Sequence, residues 1–542
     1  MKLPELSADA SPEFVDAASC TAWLENVPLA NVSAAQHELL GQLEIINRFP
    51  ASAAHRLAVM EALREAVNFV QIEQAKRFTN RALPMTEAET TAFEDTIDLW
   101  EQMRLGYLRC LESALNRDGG MRSQGALICQ RLLAYSGLKM FHHYRAYRQV
   151  PASEWGALNE AYASAEELGV AEEAVKDFLN RDVHDTSPRI AYARAVLMGM
   201  CNPNELGQRP LTFVTHLLER WAVKLEVSAE PVDEGMGLPP LMADLASYSC
   251  PERTESGAEG VKDARYLDAR KLGKSLRNRV GLLRKGESPA KLALGEDCVQ
   301  PSCEQLLVFL YRQWCQPKSG RGTDRQAAAQ TAQACNDIAA IHHYVSGRAL
   351  PGRARTGREL TQKQREELET LGRVSTRDEE KAEEDYSDAH GYFLEEWHIR
   401  DESAQGLRMV RPSGAPGKRY AHGQLVGVRP ADAKHFRLAQ VRWLMSGENG
   451  DLHAGLQLLP GLPSGIGVRP TGLNVQSAEY VQALALSAVQ ALGAPATLVL
   501  PSGWYKPKRV IDVYLEQSLH VRLTEVVERG ADFERIAYEP AT

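Results

Sequence analysis

Arg373-Val-Ser-Thr-Arg377, followed after a spacer by Asp401-Glu-Ser403-Ala-Gln-Gly406 and then by strand-rich sequence, decides how this chain is read. An arginine guanidinium is planar, permanently charged and able to bond phosphate bidentately or stack on a base, so two of them four residues apart grip several groups of one ligand. Asp401 can accept from a guanine edge, Ser403 can accept there or donate to phosphate, and Gly406 leaves room for close backbone approach. This chemistry suits a doubly phosphorylated, guanine-bearing ligand.

That order of elements resembles the PilZ family, bacterial β-barrel modules that bind cyclic di-GMP through an RxxxR linker and a D/N-x-S-x-x-G strand. The likeness continues through Gly423-Gln-Leu-Val-Gly-Val428, Ala439-Gln-Val-Arg-Trp443 and Ala454-Gly-Leu-Gln-Leu458, which follow in the order of the family's later strands. It spans about residues 370–460, a minority of the 542. The resemblance implies cyclic di-GMP as ligand, with no cofactor besides. It implies that Arg373 and Arg377 bind phosphate and stack against or hydrogen-bond guanine, while Asp401, Ser403 and Gly406 line the guanine side. One departure is the acidic run Asp378-Glu-Glu-Lys-Ala-Glu-Glu-Asp385 directly after the arginines, read as a solvated spacer.

The remaining composition narrows the function classes. With 44% hydrophobic and 25% charged residues, the chain is ordinary globular protein of several domains. A net charge of −9 argues against a nucleic acid polymer as the main partner, because phosphate backbones call for a basic surface. The N-terminus lacks a basic start followed by an apolar run, and the most apolar late stretch, residues 480–500, is broken by Gln482, Gln490, Gly493 and Pro495. No signal peptide and no membrane span are therefore expected, which places the chain in the cytoplasm. Nine scattered cysteines fit reduced thiols, and Cys298, Cys303 and Cys315 lack the paired knuckles of a zinc site, so buried free thiols are expected there and no metal. The pairs His142-His143 and His342-His343 read as surface or satisfied interior residues.

From about residue 12 to 345 the pattern is helical. Leu57, Met60, Leu63, Val67 and Val70 make one stripe on a helix starting near Ser52, and Thr86 with Glu89 forms a capping box ahead of the stripe Phe93, Ile97, Trp100, Tyr107 and Leu111. Further helices are expected at 127–148, 154–168, 188–200 and 210–225. Residues 264–285 read as a basic amphipathic helix, with Leu272, Leu276, Val280 and Leu283 on one face and Arg270, Lys274, Arg277 and Arg284 on others. No glycine-rich phosphate loop and no acid/base constellation stands out, so no catalytic residue is assigned.

The expected fold class is α+β and multidomain: a mostly α-helical N-terminal region, a small antiparallel PilZ-like β-barrel and a C-terminal β module. The expected divisions are a helical domain 1–229, a helical subdomain 230–345 after a Pro/Gly-rich boundary, and a basic flexible connector 346–372. A PilZ-like barrel 373–476 and a helix plus C-terminal β module 477–542 complete the chain. Barrel strands are expected at 392–399, 407–410, 424–429, 436–444 and 452–459. An Ala/Leu-rich helix is expected at 478–492, with strands at 497–500, 509–515, 520–523 and 534–538 that either complete the barrel or form a second module. The resulting reading is a cytoplasmic cyclic di-GMP receptor whose helical region contacts a protein partner. The alternative is a ligand-independent scaffold or adapter with a degenerate PilZ-like barrel.

Overall fold

The computed structural model describes residues 3–116, 118–232, 240–253, 261–295, 298–299, 302–316, 326–347, 390–471, 479–515 and 517–541. The chain divides into two compact units, Met1–Arg81 with Met85–Arg321, and Gly322–Thr542 with the short stretch Ala82–Pro84. The expected connector 346–372 lies almost wholly outside the described residues, as do Arg373, Arg377 and the acidic run 378–385.

The first unit is built on α1 (Ala17–Leu24), α2 (Val32–Arg48), α3 (Ala53–Ala75), α4 (Glu87–Leu115), α5 (Gly119–Arg122), α6 (Gly125–Arg145), α7 (Ala152–Glu167), α8 (Pro188–Met200) and α9 (Gln208–Trp221). A two-stranded sheet, β1 (Val175–Lys176) with β2 (Asp185–Thr186), lies between α7 and α8. Local sequence explains the helix starts. The Ser52 hydroxyl accepts from the His55 amide to open α3, and Thr86 and Glu89 cap each other reciprocally to open α4. The stripe from Leu57 to Val70 is buried, as are Phe93, Trp100, Tyr107 and Leu111. Charge inside this core is paired: Arg64 binds Asp177 at 2.6 Å and Arg131 binds Glu61 at 2.9 Å. His142 and His143 are both interior, against Phe78 and Trp100 and against Phe93 respectively, and burial pushes both imidazoles down, His143 to about 4.

A four-stranded sheet follows α9, made of β3 (Glu226–Ser228), β4 (Leu241–Asp244), β5 (Glu252–Arg253) and β6 (Ala264–Asp268) in the order β3-β6-β4-β5, with β4 and β5 inside the Pro/Gly-rich interval 230–260. The basic amphipathic helix, α10, therefore begins at Arg270 rather than 264, because Ala264–Asp268 pairs with β3 and β4. Leu272, Leu276, Val280 and Leu283 are buried as expected, on the helix that packs against α11 (Ser302–Cys315). Cys298 and Cys303 are joined in a disulfide, not free thiols: five positions apart in sequence, they hold their Cα atoms 5.1 Å from each other, within the span of such a bond. Among the described residues no cluster of His, Cys, Asp or Glu is placed to hold a metal, and no helix is long and apolar enough to cross a membrane.

The second unit contains two closed antiparallel barrels. The first joins β7 (Gln326–Asn336), which precedes α12 (Ile338–Ser346), to β8 (Glu395–Ser403), β9 (Gly406–Arg411), β10 (Leu425–Pro430), β11 (Arg437–Ser446) and β12 (Leu452–Leu458), in the order β10-β11-β12-β9-β8-β7. The second joins β13 (Pro463–Pro470), β14 (Val481–Leu486), β15 (Thr497–Pro501), β16 (Val510–Tyr514), β17 (Ser518–Arg529) and β18 (Phe533–Pro540), in the order β13-β14-β15-β18-β17-β16. Helix α12 packs between them: Ile341 shares an apolar cluster with Leu425 of the first barrel and Leu484, Leu486 and Phe533 of the second. The C-terminal strands thus form a barrel of their own.

Two stretches expected to be helical are strands here. Residues 326–336 are Ala- and Gln-rich, a helix-favouring composition, yet they form β7, because Ala332 and Ala334 are small enough to sit opposite Trp397 and Glu395 of β8 in the barrel wall. The helix expected over 478–492 is instead strand β14 followed by a 3-10 turn at Gln490–Leu492 that ends on Gly493 at φ +60. Ala483, Leu484 and Leu486 are all buried, so both faces of β14 are covered and no period-2 alternation is left to distinguish strand from helix.

Candidate ligand-binding site

Hairpin β8–β9 turns through Ala404 and Gln405, and its last pair is Ser403 opposite Gly406. The Ser403 hydroxyl donates to the Gly406 carbonyl at 3.3 Å. A Cβ on Gly406 would lie 2.5 Å from the Leu456 carbonyl oxygen, so glycine is what lets β12 approach β9 here. A bulge between Ile399 and Asp401 re-aims the strand just before Asp401, which pairs with Arg408 across the hairpin. Their charged groups are 3.9 Å apart, a loose contact on a half-exposed surface.

The register extends this pair into a row. Arg408 faces Gly455 of β12, and Gly455 faces Trp443 of β11, next to a second bulge. Opposed residues share a sheet face, so Asp401, Arg408, Gly455 and Trp443 form one line across four strands. Their neighbours Ile399, Leu407, Met409, Leu444 and Leu456 are buried in the barrel, which puts the row on its outer side. Gly455 is a shelf: a Cβ there would stand 1.9 Å from the Trp443 indole nitrogen, so the half-buried ring lies across bare backbone.

The row carries unused hydrogen-bonding capacity. Arg408 Nε is buried with no hydrogen-bond partner among the described residues, and so is Nδ1 of His453, two residues before Gly455 on the same face. Burial, then the neighbouring Arg408 cation, pushes the His453 imidazole below its ordinary range and favours the neutral ring. An aromatic plane, a guanidinium with a spare donor and a carboxylate acceptor together can stack a planar base, bond its N–H edge and meet an anionic group.

The structure therefore places Asp401, Ser403 and Gly406 together at one hairpin, while Arg373 and Arg377 fall outside the described residues. Sequence reasoning missed Arg408, Trp443, His453 and Gly455. The only local signal was an aromatic next to a charged residue in Arg442-Trp443, and the bulge beside Trp443 breaks the alternation that would have shown which way the ring points.

Comparison with known proteins adds a second line. Residues 18–232 match the family model described as the N-terminal domain of the cyclic-di-GMP receptor FimW, and residues 466–541 match that of the FimW C-terminal beta-barrel domain. The second match coincides with barrel β13–β18. The chain is also 23% identical over 524 residues to the cyclic-di-GMP receptor FimW of Pseudomonas aeruginosa, an alignment covering 88% of this chain and 83% of that protein.

Proposed function

We propose, for a chain that belongs to the cyclic-di-GMP receptor family by both of its matched domains, that it captures cyclic di-GMP on the outer face of its first barrel and signals through protein contacts of its helical unit. The row Asp401, Arg408, Gly455 and Trp443 carries this reading, since it puts an aromatic platform and a spare cationic donor beside the hairpin that holds Ser403 and Gly406. In the complex, Trp443 stacks on one guanine, Asp401 accepts from its N–H edge, and Arg408 with Arg373 and Arg377 meets the phosphates. The two arginines enter the ligand from the segment before β8, so capture ties that segment to the barrel. We place the protein in the cytoplasm, a reading supported by its free cysteines, among them the buried Cys20, Cys110, Cys129, Cys201 and Cys335, and set against the single Cys298–Cys303 bond.

Calorimetric titration with cyclic di-GMP tests the reading. Losing one charge-assisted contact costs about 1.5 to 3 kcal/mol, so Arg377→Ala is expected to weaken binding roughly ten- to a hundred-fold. Unchanged affinity in that variant sinks the arginine assignment, and no heat with the parent protein leaves the adapter alternative. Hydrogen exchange tests the signalling part: ligand-dependent protection confined to the β8–β9 hairpin, with none in the helical unit, removes it.

A further inference from the structure

Helices α10 and α11 enclose a cleft of about 350 Å³ in the helical unit, lined by Arg277, Gly281 and Arg284 on one side and Val308, Tyr311 and Arg312 on the other. We propose that this cleft docks an acidic segment of a partner protein, one apolar side chain entering the cleft while flanking carboxylates meet the arginines on its rims. The inference rests on the output role proposed above for the helical unit.

Charge is the first argument. Helix α10 carries Arg270, Lys271, Lys274, Arg277, Arg279 and Arg284 with no acidic residue, inside a chain of net charge −9. Several of these are occupied: Arg270 by Asp268, Lys271 by Glu226, and Arg279 by the Trp221 ring and the Leu292 carbonyl. Those on the cleft are freer. Among the described residues Arg284 pairs only with the partly exposed Glu304, at 2.7 Å, and no carboxylate lies within ion-pair distance of Arg277 or Arg312. The Arg277 guanidinium stands 5.6 Å from the Tyr311 ring centroid, which holds it at the rim.

Shape is the second. The apolar face of α10 is largely spent on the core through Leu272, Leu276 and Leu283, so little is left to insert into a bilayer; what remains is a concave strip of Val280, Val308, Tyr311 and bare Gly281 between cationic rims. Nothing lies within 4 Å of where a Gly281 side chain would begin, so the cleft is open at that point. An inorganic anion would satisfy the rims and leave the strip wet, whereas a peptide with an apolar anchor between Asp or Glu residues satisfies both.

The test is selection of a random 12-residue peptide library on the full chain, followed by fluorescence anisotropy with a labelled enriched peptide. Enriched sequences are expected to place Asp or Glu around one Leu, Ile or Phe, and to bind more weakly as salt rises. Affinity is expected to fall at least tenfold both in Arg277→Glu with Arg312→Glu and in Gly281→Leu, which fills the cleft without touching a charge and suits a helix interior. Enriched peptides without acidic residues, or peptides that bind either variant as well as the parent, overturn the proposal. So does saturable binding of phosphatidylglycerol vesicles where no peptide saturates. Titrations with and without cyclic di-GMP keep the two readings apart: peptide binding indifferent to the nucleotide retains the cleft and removes the coupling, whereas nucleotide binding without any peptide binding retains the receptor and removes the cleft.

Discussion

The two barrels close alike and differ in where they keep their polar groups. In the first, Arg411 and Glu395 form a buried ion pair flanked by Trp397 and Tyr420; the Glu395 carboxylate also accepts from the Lys418 amide at 2.7 Å and from the Trp397 indole at 3.1 Å. The second has an aliphatic interior of Ile466, Val468, Leu498, Leu500, Ile511 and Leu523. Outside, the contrast is one of satisfaction. Asp512 of the second barrel accepts from Arg469 at 2.8 Å, from Tyr480 at 2.9 Å and from the Ser518 hydroxyl, and Arg469 lies 4.4 Å over the Tyr480 ring. Asp512 thus receives three donors, and no buried polar atom of that cluster lacks a partner among the described residues. The row through Asp401, Arg408 and Trp443 leaves Arg408 Nε unpaired among the described residues. Closing a sheet does not by itself make a binding site, and the binding proposed above rests on the row of the first barrel that leaves a buried donor unpaired.

The largest effect is expected from breaking the interior contrast. Glu395→Ala strands the Arg411 guanidinium, and removing one partner of a buried pair costs about 3 to 5 kcal/mol. Hydrogen exchange reads this by segment: amides of β8 and β9 are expected to lose protection well before those of β15 and β18. Equal loss in both barrels would show that they unfold as one cooperative body, and the comparison would then describe their chemistry but not their stability.

Next in size is the stacking platform. Base stacking on an aromatic side chain is worth about 1 to 3 kcal/mol by alanine substitution, so Trp443→Ala is expected to weaken cyclic di-GMP binding by roughly five- to a hundred-fold, while Tyr480→Ala in the second barrel leaves it unchanged. Because the indole lies on the outside of the wall, thermal stability should move little. If Tyr480→Ala weakens binding and Trp443→Ala does not, the ligand belongs to the second barrel and the row has been misread.

What could be read from sequence, and what could not, follows the distance between interacting residues. Caps and stripes within one helix were legible because Thr86 and Glu89, or Leu57 through Val70, interact over three or four positions. Strands β8 to β12 were legible because their turns and apolar runs are local, and with them the hairpin holding Asp401, Ser403 and Gly406. Strand β7 was not, since its Ala332 and Ala334 acquire a reason to be extended only from Trp397 and Glu395, more than sixty positions away. Trp443 over Gly455 needed the register of two strands and the position of a bulge. Arg408 is only a charged residue in a strand until it is known to face both Asp401 and Gly455.

The smallest effect is expected where the second barrel's outer cluster is disturbed. Burial pushes the Asp512 carboxyl up, but hydrogen bonds from Ser518, Arg469 and Tyr480 outweigh it and hold the group below its ordinary range. A carboxylate whose folded pKa is depressed contributes stability that is fully present above the unfolded value, near 3.9, and that is lost as pH falls through the folded one. Asp512→Asn keeps the shape and removes the charge. The variant is therefore expected to be modestly less stable than the parent at pH 7, with the two denaturation midpoints converging as pH drops below about 4. Cyclic di-GMP affinity at pH 7 should be the same in both, because no buried polar atom of this cluster lacks a partner among the described residues. A gap in stability that stays constant down to pH 3 would show that shape rather than charge matters at Asp512, and a loss of affinity would show that the self-satisfied row takes part in binding, which would end the distinction between the two barrels.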